Sequence, residues 1–105
     1  MREYVLVKVS SKYVKLQLST IIYIEALADY IIVNTATDKY TILTTMKKVE
    51  AILAEENFCR VHNSYIVNLE QITVIEGNQL LLGKTQIPVS RNRMKTLISR
   101  FQIIK

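Results

Sequence analysis

Hydrophobic and polar positions alternate along most of this 105-residue chain. A repeat of two is typical of β-strands that bury one face, because successive side chains point to opposite sides of a strand. The runs are also rich in β-branched residues, which favour strands. The pattern predicts eight strands, at residues 2–10, 13–18, 21–25, 30–35, 40–43, 58–61, 72–76 and 79–83.

Short polar segments between these runs predict tight turns. Ser10-Ser11-Lys12 separates the first two strands, and the loop Ala26-Leu27-Ala28-Asp29 separates the third from the fourth. Thr37-Asp38-Lys39 is predicted as the next turn. Gly77-Asn78 is a favoured pair for a two-residue hairpin turn, since glycine tolerates a positive φ.

Two segments change to the spacing of an amphipathic helix. Residues 44–57 begin with a cap at Thr44 or Thr45. Residues 89–101 begin with a cap at Ser90. The apolar stripes are Met46, Val49, Ile52 and Leu53 on the first helix, and Met94, Leu97, Ile98 and Phe101 on the second. Basic residues lie off the second stripe, at Arg91, Arg93, Lys95 and Arg100. The fold class predicted is mainly β, with two short helices.

Composition and charge narrow the class of protein. Half of the residues are hydrophobic and 22% are charged, which is typical of one ordered domain spanning residues 1–105. The net charge is +5, and residues 84–105 contain six basic and no acidic side chains. This asymmetry favours an anionic partner, although a solubilising basic surface would give the same pattern.

The chain contains one cysteine, so it cannot form an internal disulfide, which favours a reducing compartment. The N-terminal residues alternate in polarity and do not resemble a signal peptide. No apolar run reaches the ~18 residues that a membrane-spanning helix needs. We therefore expect a cytoplasmic location and no membrane segment in this fragment.

The sequence offers little support for a catalytic site or a metal site. Cys59 and His62 are the sharpest enzyme candidates, but side chains three apart point to opposite faces of a strand. One cysteine and one histidine cannot supply the four ligands of a structural metal site. Gly-rich phosphate loops are absent from the sequence. We expect no catalytic residue, no metal and no cofactor.

Polar side chains are concentrated in three loops at strand ends. Arginine can form two hydrogen bonds to guanine, and asparagine can do the same to adenine. Serine hydroxyls and the N–H groups at a helix start suit phosphate oxygens. The candidates are Asp29 and Tyr30 in the first loop, His62, Asn63 and Ser64 in the second, and Ser90, Arg91, Asn92, Arg93 and Lys95 in the third. This set favours nucleic-acid binding.

Each candidate also has a structural alternative. His62 can be a structural histidine, Asn63 can hold a left-handed turn, and Arg91 with Arg93 can form a solvated helix face. A second function class also remains open. The chain could be an interaction module that binds an acidic partner or dimerises through edge strands and its apolar tail, where Phe101, Ile103 and Ile104 either dock on the core or contact a second copy.

Three motifs in order, IIYIEALADYIIVNT, FCRVHNSYIVN and IPVSRNRMKTL, resemble the LytTR DNA-binding domain, the output domain of many bacterial response regulators. The resemblance covers nearly the whole chain. It implies short antiparallel strands in small stacked sheets. It also implies that loops enter successive major grooves of duplex DNA, often as two copies on a repeated site.

The resemblance assigns roles by motif position. Asn63 and Arg91 correspond to base-contacting positions, and a third lies near Ala28 and Asp29. The family commonly has Arg or Lys at the position of Asn63, so this chain is expected to prefer adenine there. Asp29 would suit cytosine or shape its loop, and it would repel phosphate. His62 is expected to shape its loop. The remaining assignments, to phosphate contact or loop support, are Arg60, His62, Ser64, Tyr30, Ser90, Asn92, Arg93 and Lys95.

The resemblance also implies partners. The expected partner is double-stranded DNA carrying promoter sites that resemble direct repeats, bound by a possible homodimer. Family members usually carry an N-terminal receiver domain or a membrane segment. We therefore hypothesise that these residues are the C-terminal output part of a longer regulator.

Overall fold

Ten short strands and two short helices make up the regular structure of residues 2–105, the part of the chain described by the computed structural model. The first half contains β1 (Tyr4–Val9), β2 (Lys12–Gln17), β3 (Ile21–Leu27), β4 (Tyr30–Thr35), β5 (Lys39–Ile42) and α1 (Met46–Ile52). The second half contains β6 (Phe58–His62), β7 (Tyr65–Asn68), β8 (Val74–Glu76), β9 (Gln79–Leu82), β10 (Thr85–Pro88) and α2 (Arg91–Ile98).

The strands form three small antiparallel sheets. The central sheet has five strands in the order β5-β4-β3-β7-β6. The hairpin of β1 and β2 forms a second sheet, and β8, β9 and β10 form a third with β9 in the middle. The predicted class, mainly β with small stacked sheets and two helices, is confirmed.

The central sheet is apolar on both faces, and each face carries its own core. Neighbouring side chains on a strand point to opposite faces, so consecutive residues contribute to different cores. One core contains Phe58 of β6 and Ile66 of β7, and the other contains Cys59 and Val67. One core joins the sheet to the β1–β2 hairpin and α1: Val7, Leu16, Leu18, Ile21, Ile24, Ile31, Val33, Met46, Val49, Leu53, Phe58 and Ile66. The other joins it to the third sheet and α2: Cys59, Val61, Val67, Leu69, Leu80, Leu82, Ile87, Val89 and Leu97.

Two strands were not predicted, and both lack a clean alternation. β7 is buried on both faces, so its residues read as a short apolar run. β10 ends in Pro88, which cannot donate a backbone hydrogen bond, but β10 is an outer strand where that loss is tolerated. The predicted turns at Ser10 and Gly77 are confirmed, with φ of 55° and 59°.

The helices are shorter than predicted. The Thr45 hydroxyl caps α1 by accepting a hydrogen bond from the N–H of Lys48 at 3.2 Å. The placement of Ile52 in the apolar stripe is wrong, since its side chain is 67% exposed while Leu53 is buried. At ~100° per residue, Leu53 lies almost above Met46, whereas Ile52 is turned away by about a third of a circle.

The C-terminal tail does not pack on the core. α2 ends at Ile98, with Leu97 fully buried, and Phe101 lies beyond the helix at 40% exposure. Ile103 and Ile104 are 62% and 101% exposed. Within residues 2–105, neither helix has the length and apolar character needed to cross a bilayer.

A buried asparagine joins the central sheet to the segment that follows it. Asn68 is 2% exposed, and its Nδ2 donates to the backbone oxygen of Ile21 at 2.8 Å. Its Oδ1 accepts from the N–H of Glu70 at 3.0 Å. Asn68 therefore satisfies a backbone carbonyl on β3 and an N–H of the short 3₁₀ turn at Leu69–Gln71.

We expect Asn68→Ala to lower the free energy of unfolding by about 2 kcal/mol, because it leaves a buried carbonyl on β3 and a partly buried N–H without partners. Urea denaturation followed by circular dichroism measures this change. Asn92→Ala is the matched control, since Asn92 is exposed; it should change stability by less than about 0.5 kcal/mol. Equal effects of the two substitutions would contradict the assigned role of Asn68.

Candidate nucleic-acid interface

Two of the three polar loops lie side by side at one end of the central sheet. β3 and β7 are antiparallel neighbours, with Glu25 opposite Tyr65, so the β3–β4 turn and the β6–β7 turn leave the sheet at the same end. The N–H of Ala26 donates to the backbone oxygen of Ser64 at 2.9 Å. With strands about 4.8 Å apart, the two turns are separated by roughly 10 Å across the sheet.

A bulge in β6 brings the third loop to the same place. Arg60 pairs with Ile66 and His62 pairs with Tyr65, so Val61 is an extra residue on its strand. Its backbone oxygen accepts from the N–H of Ser90 at 2.8 Å. The start of α2 is therefore fixed beside the β6–β7 turn, and the three loops follow one another along one edge of the molecule.

His62 supports the backbone of the β6–β7 turn. Its Nδ1 accepts a hydrogen bond from the N–H of Ser64 at 3.1 Å, so the proton of the neutral ring is on Nε2. The ring packs on Tyr65 at 5.6 Å between centroids, and Tyr65 lies 6.3 Å from Tyr23. The histidine thus has a loop-shaping geometry, and its contact with phosphate stays a prediction.

Arg60 is directed into the protein and not toward solvent. Its Nη1 is 2.9 Å from Oε1 of Glu50 on α1, and its Nη2 donates to the backbone oxygen of Asn63 at 2.9 Å. Its side chain is 16% exposed. Of the two roles left open for Arg60, these contacts favour loop support over phosphate contact.

Asn63 lies at the exposed tip of the same turn. Its side-chain amide forms no hydrogen bond with any described residue. Between residues 2 and 105, left-handed backbone at non-glycine positions occurs at Ser10 and Ala28 only, so the left-handed turn suggested for Asn63 is wrong. The local backbone therefore does not explain an asparagine here, and its amide is free to contact a ligand.

The start of α2 presents polar and cationic groups. Ser90 occupies the N-cap position in extended backbone, but its hydroxyl makes no capping hydrogen bond, unlike the cap predicted from sequence. Arg91 and Asn92 are exposed in the first turn and Arg93 is half-buried, while the exposed Lys95 lies in the last turn of α2. A free hydroxyl and the unpaired N–H groups of a helix start together favour an anion.

The β3–β4 turn is a two-residue loop in which Leu27 pairs with Tyr30. Ala28 has a φ of 54°, a conformation that costs a residue with a β-carbon about 1 kcal/mol or more. Asp29 and Tyr30 are both exposed. The turn therefore projects an acidic and an aromatic side chain beside the other two loops.

Cys59 and His62 do not form a nucleophile pair. The Cys59 thiol is buried and directs its weak hydrogen bond to the backbone oxygen of Arg60, while His62 bonds to Ser64. Burial raises the pKa of the Cys59 thiol, an effect that the nearby Arg100 and Arg93 only partly oppose. Across the described part of the chain, no three His, Cys, Asp or Glu side chains are grouped to hold a metal.

Three contacts that fix β6 against the helices have no signal in the sequence. The Glu50–Arg60 ion pair joins residues ten apart, and the Val61 bulge cannot be read from an apolar run. Arg100 donates to the backbone oxygens of Phe58 and Glu56 at 3.2 and 3.4 Å, which ties the end of α2 to the start of β6. All three depend on how distant elements pack.

A bulged sheet edge with three adjacent polar loops and a basic helix start defines a class of nucleic-acid-binding domain. The model of the LytTr DNA-binding domain matches residues 11–102, and this chain belongs to that family. The fold agrees with a solved LytTr DNA-binding domain of a putative methyl-accepting/DNA response regulator from Bacillus cereus. The TM-score is 0.79 at 23% identity, covering 94% of this chain and 96% of the other.

Curated relatives agree with this assignment. The sensory transduction protein LytT of Bacillus subtilis (strain 168) is 34% identical over 83 residues, which are 73% of this chain and 34% of that protein. LytT of Bacillus anthracis is 27% identical over 95 residues, which are 85% of this chain and 39% of that protein. The chain thus spans between a third and two fifths of the length of these relatives.

Alkaline conditions should destabilise the domain through Cys59. The native thiol has a raised pKa, so above its ordinary value of 9.0 the unfolded chain loses this proton before the folded one does, and stability falls as pH rises. Urea unfolding at pH 8 and pH 10 measures the fall. Cys59→Ala should reduce the difference between the two values; an unchanged difference would contradict the effect.

Proposed function

We propose that this domain binds double-stranded DNA in a sequence-specific manner, as the output domain of a response regulator, with Asn63 and Arg91 contacting base edges in the major groove. One observation carries the proposal. Both side chains are exposed on adjacent loops, while the backbones below them are fixed by the bonds from Arg60 to Asn63 and from Ser90 to Val61.

Free side chains on fixed backbones suit base contact. An asparagine amide can donate to adenine N7 and accept from adenine N6–H only if its Cα is held at the right distance. The same constraint applies to arginine and guanine. The Asn63 amide has no competing partner among residues 2–105. Asn63 therefore favours an adenine, and Arg91 a guanine, in the bound sequence.

Phosphate contacts would come from the groups around these two residues. The free hydroxyl of Ser90 and the first N–H groups of α2 lie at the same helix start as Arg91, and Lys95 lies one turn further along α2. Arg93 and Asn92 add to this set. Such contacts position the protein on the duplex and supply affinity that does not depend on sequence.

The β3–β4 turn is the third proposed contact. Asp29 can accept a hydrogen bond from cytosine N4, and Tyr30 can support the turn or donate to a phosphate. Asp29 also repels phosphate, so its carboxylate must point into the groove for this role. The exposure of both residues beside Ser64 supports their inclusion in the interface.

The regulator as a whole is also a proposal. The curated relatives are called sensory transduction proteins and are about three times as long as the matched region. A receiver domain in the remainder of a longer chain, and a cytoplasmic location, agree with that arrangement. This domain would then convert a signal received elsewhere in the regulator into DNA binding.

We further propose that two copies bind a repeated site. The exposed tail of Phe101, Ile103 and Ile104 is the observation in favour of contact between proteins, because apolar side chains so exposed are available to a partner. Gel filtration with and without duplex DNA would show two copies on a two-site duplex. A dimer without DNA would favour the interaction-module alternative instead.

Salt dependence tests the proposed function. With roughly six cationic contacts to phosphate, log K should fall against log salt with a slope near −5, because each contact releases a condensed counterion. Fluorescence anisotropy with duplexes selected from a random pool, measured from 50 to 200 mM salt, gives the slope. A slope near zero would refute DNA binding.

Substitution of the two base-contacting residues should change specificity. We expect Asn63→Ala and Arg91→Ala each to cost roughly 1 to 3 kcal/mol on the selected duplex and to relax preference at one base pair. Competition with duplexes altered at single positions measures the preference. Lys12→Ala, at an exposed residue on β2, is a control for loss of charge outside the interface. An equal loss on all sequences would show contact with phosphate only.

A further inference from the structure

Glu50 lies on α1 but is connected to the tip of the β6–β7 turn through a single side chain. The Arg60 guanidinium bonds to Glu50 through Nη1 and to the backbone oxygen of Asn63 through Nη2, each at 2.9 Å. We infer that Glu50 and Arg60 are positioning residues for DNA recognition, which hold Asn63 in place without contacting a base. This inference rests on the proposed function.

The chemistry of arginine suits this role. The guanidinium is planar and rigid, so two bonds from its two terminal nitrogens fix the distance between α1 and the turn. A lysine carries a single nitrogen and could not keep both bonds in the same geometry. The Arg60 side chain is 16% exposed and that of Glu50 is 45% exposed, so water reaches the carboxylate but only partly screens the bond.

The bond reaches the residue that is proposed to contact the base. Arg60 binds the carbonyl of Asn63 itself, two bonds from the Cα that carries the amide side chain. A shift of this carbonyl moves the amide by a similar distance. A base contact made by two hydrogen bonds tolerates displacements of only about 0.5 Å, so a loosened turn should lose it.

Replacement of Glu50 distinguishes a positioning role from a purely electrostatic effect on DNA binding. A carboxylate near DNA repels phosphate, so electrostatics alone predicts that its removal strengthens binding to every duplex. Positioning predicts the opposite on the preferred duplex, because Arg60 loses its anchor on α1. The two accounts therefore differ in sign and not only in size.

The test compares Glu50→Ala, Glu50→Gln and Arg60→Lys with Glu55→Ala. Glu55 is exposed, follows α1 in the chain and forms no ion pair within the described residues, so it controls for loss of a charge. Binding is measured on the selected duplex and on a scrambled one. Thermal unfolding of each variant sets a temperature at which all are folded.

We expect Glu50→Ala and Arg60→Lys to weaken binding to the selected duplex about three- to tenfold, with little change on the scrambled duplex. The affinity of Glu50→Gln for the selected duplex should lie between that of these variants and that of the wild type, since its amide oxygen still accepts a hydrogen bond from Arg60. Glu55→Ala should not weaken either complex. The positioning role is overturned if Glu50→Ala binds DNA as Glu55→Ala does, or if it weakens binding to both duplexes equally.

A double-mutant cycle tests whether Glu50 acts through Asn63. Glu50→Ala should cost little in an Asn63→Ala background, because the side chain that it positions is already gone. Additive losses overturn the inference while leaving the proposed DNA binding intact. A wild-type domain that binds no duplex from the pool overturns both.

Discussion

The interface depends on one backbone hydrogen bond, from the N–H of Ser90 to the oxygen of Val61. It exists because β6 carries an extra residue, which frees a carbonyl that regular pairing with β7 would have occupied. That carbonyl accepts a hydrogen bond from the N–H of Ser90, just ahead of α2, and so places the helix start beside the β6–β7 turn. Two loops 26 residues apart in sequence, at residues 63–64 and 90–91, thereby become neighbours.

The second constraint is the apolar character of both faces of the central sheet. Because each face is covered, β7 and β6 are held between two cores, and the turn between them projects from a rigid base. The rigidity matters for binding, since a turn that is already ordered loses less conformational entropy when DNA fixes it. At the other end of β7, Asn68 adds to this rigidity by joining β7 to β3.

Much of the fold was predictable from local pattern, and the failures have physical causes. Alternation located most strands, and Gly77 located a hairpin turn. β7 was missed because a strand buried on both faces does not alternate, and β10 because Pro88 is normally a strand breaker. Ile52 was misplaced because helical spacing alone does not separate a residue beside the stripe from one within it.

The candidate residues were predictable by type and motif position, but their orientation was not. Within the motif from Phe58 to Asn68, four polar residues lie at positions 60–64, and the structure separates their side chains into inward and outward groups. Arg60 and His62 bond to the turn through their side chains, whereas Ser64 bonds to His62 and Ala26 through its backbone N–H and carbonyl. Only long-range packing, such as the position of Glu50 on α1, makes that distinction.

The separation of inward and outward side chains in the β6–β7 turn bears on how the proposed DNA specificity would be encoded. Because the turn is held by the side chains of Arg60 and His62 and by the backbone of Ser64, the side chain of Asn63 is not required for its shape. In the proposed mode of DNA binding, a different residue at position 63 would change the preferred base while the backbone stays in place. Changes at Arg60 or His62 would alter the shape of the turn as well. In the proposed mode of binding, position 63 is therefore the place in this turn where base preference can change without a change in structure.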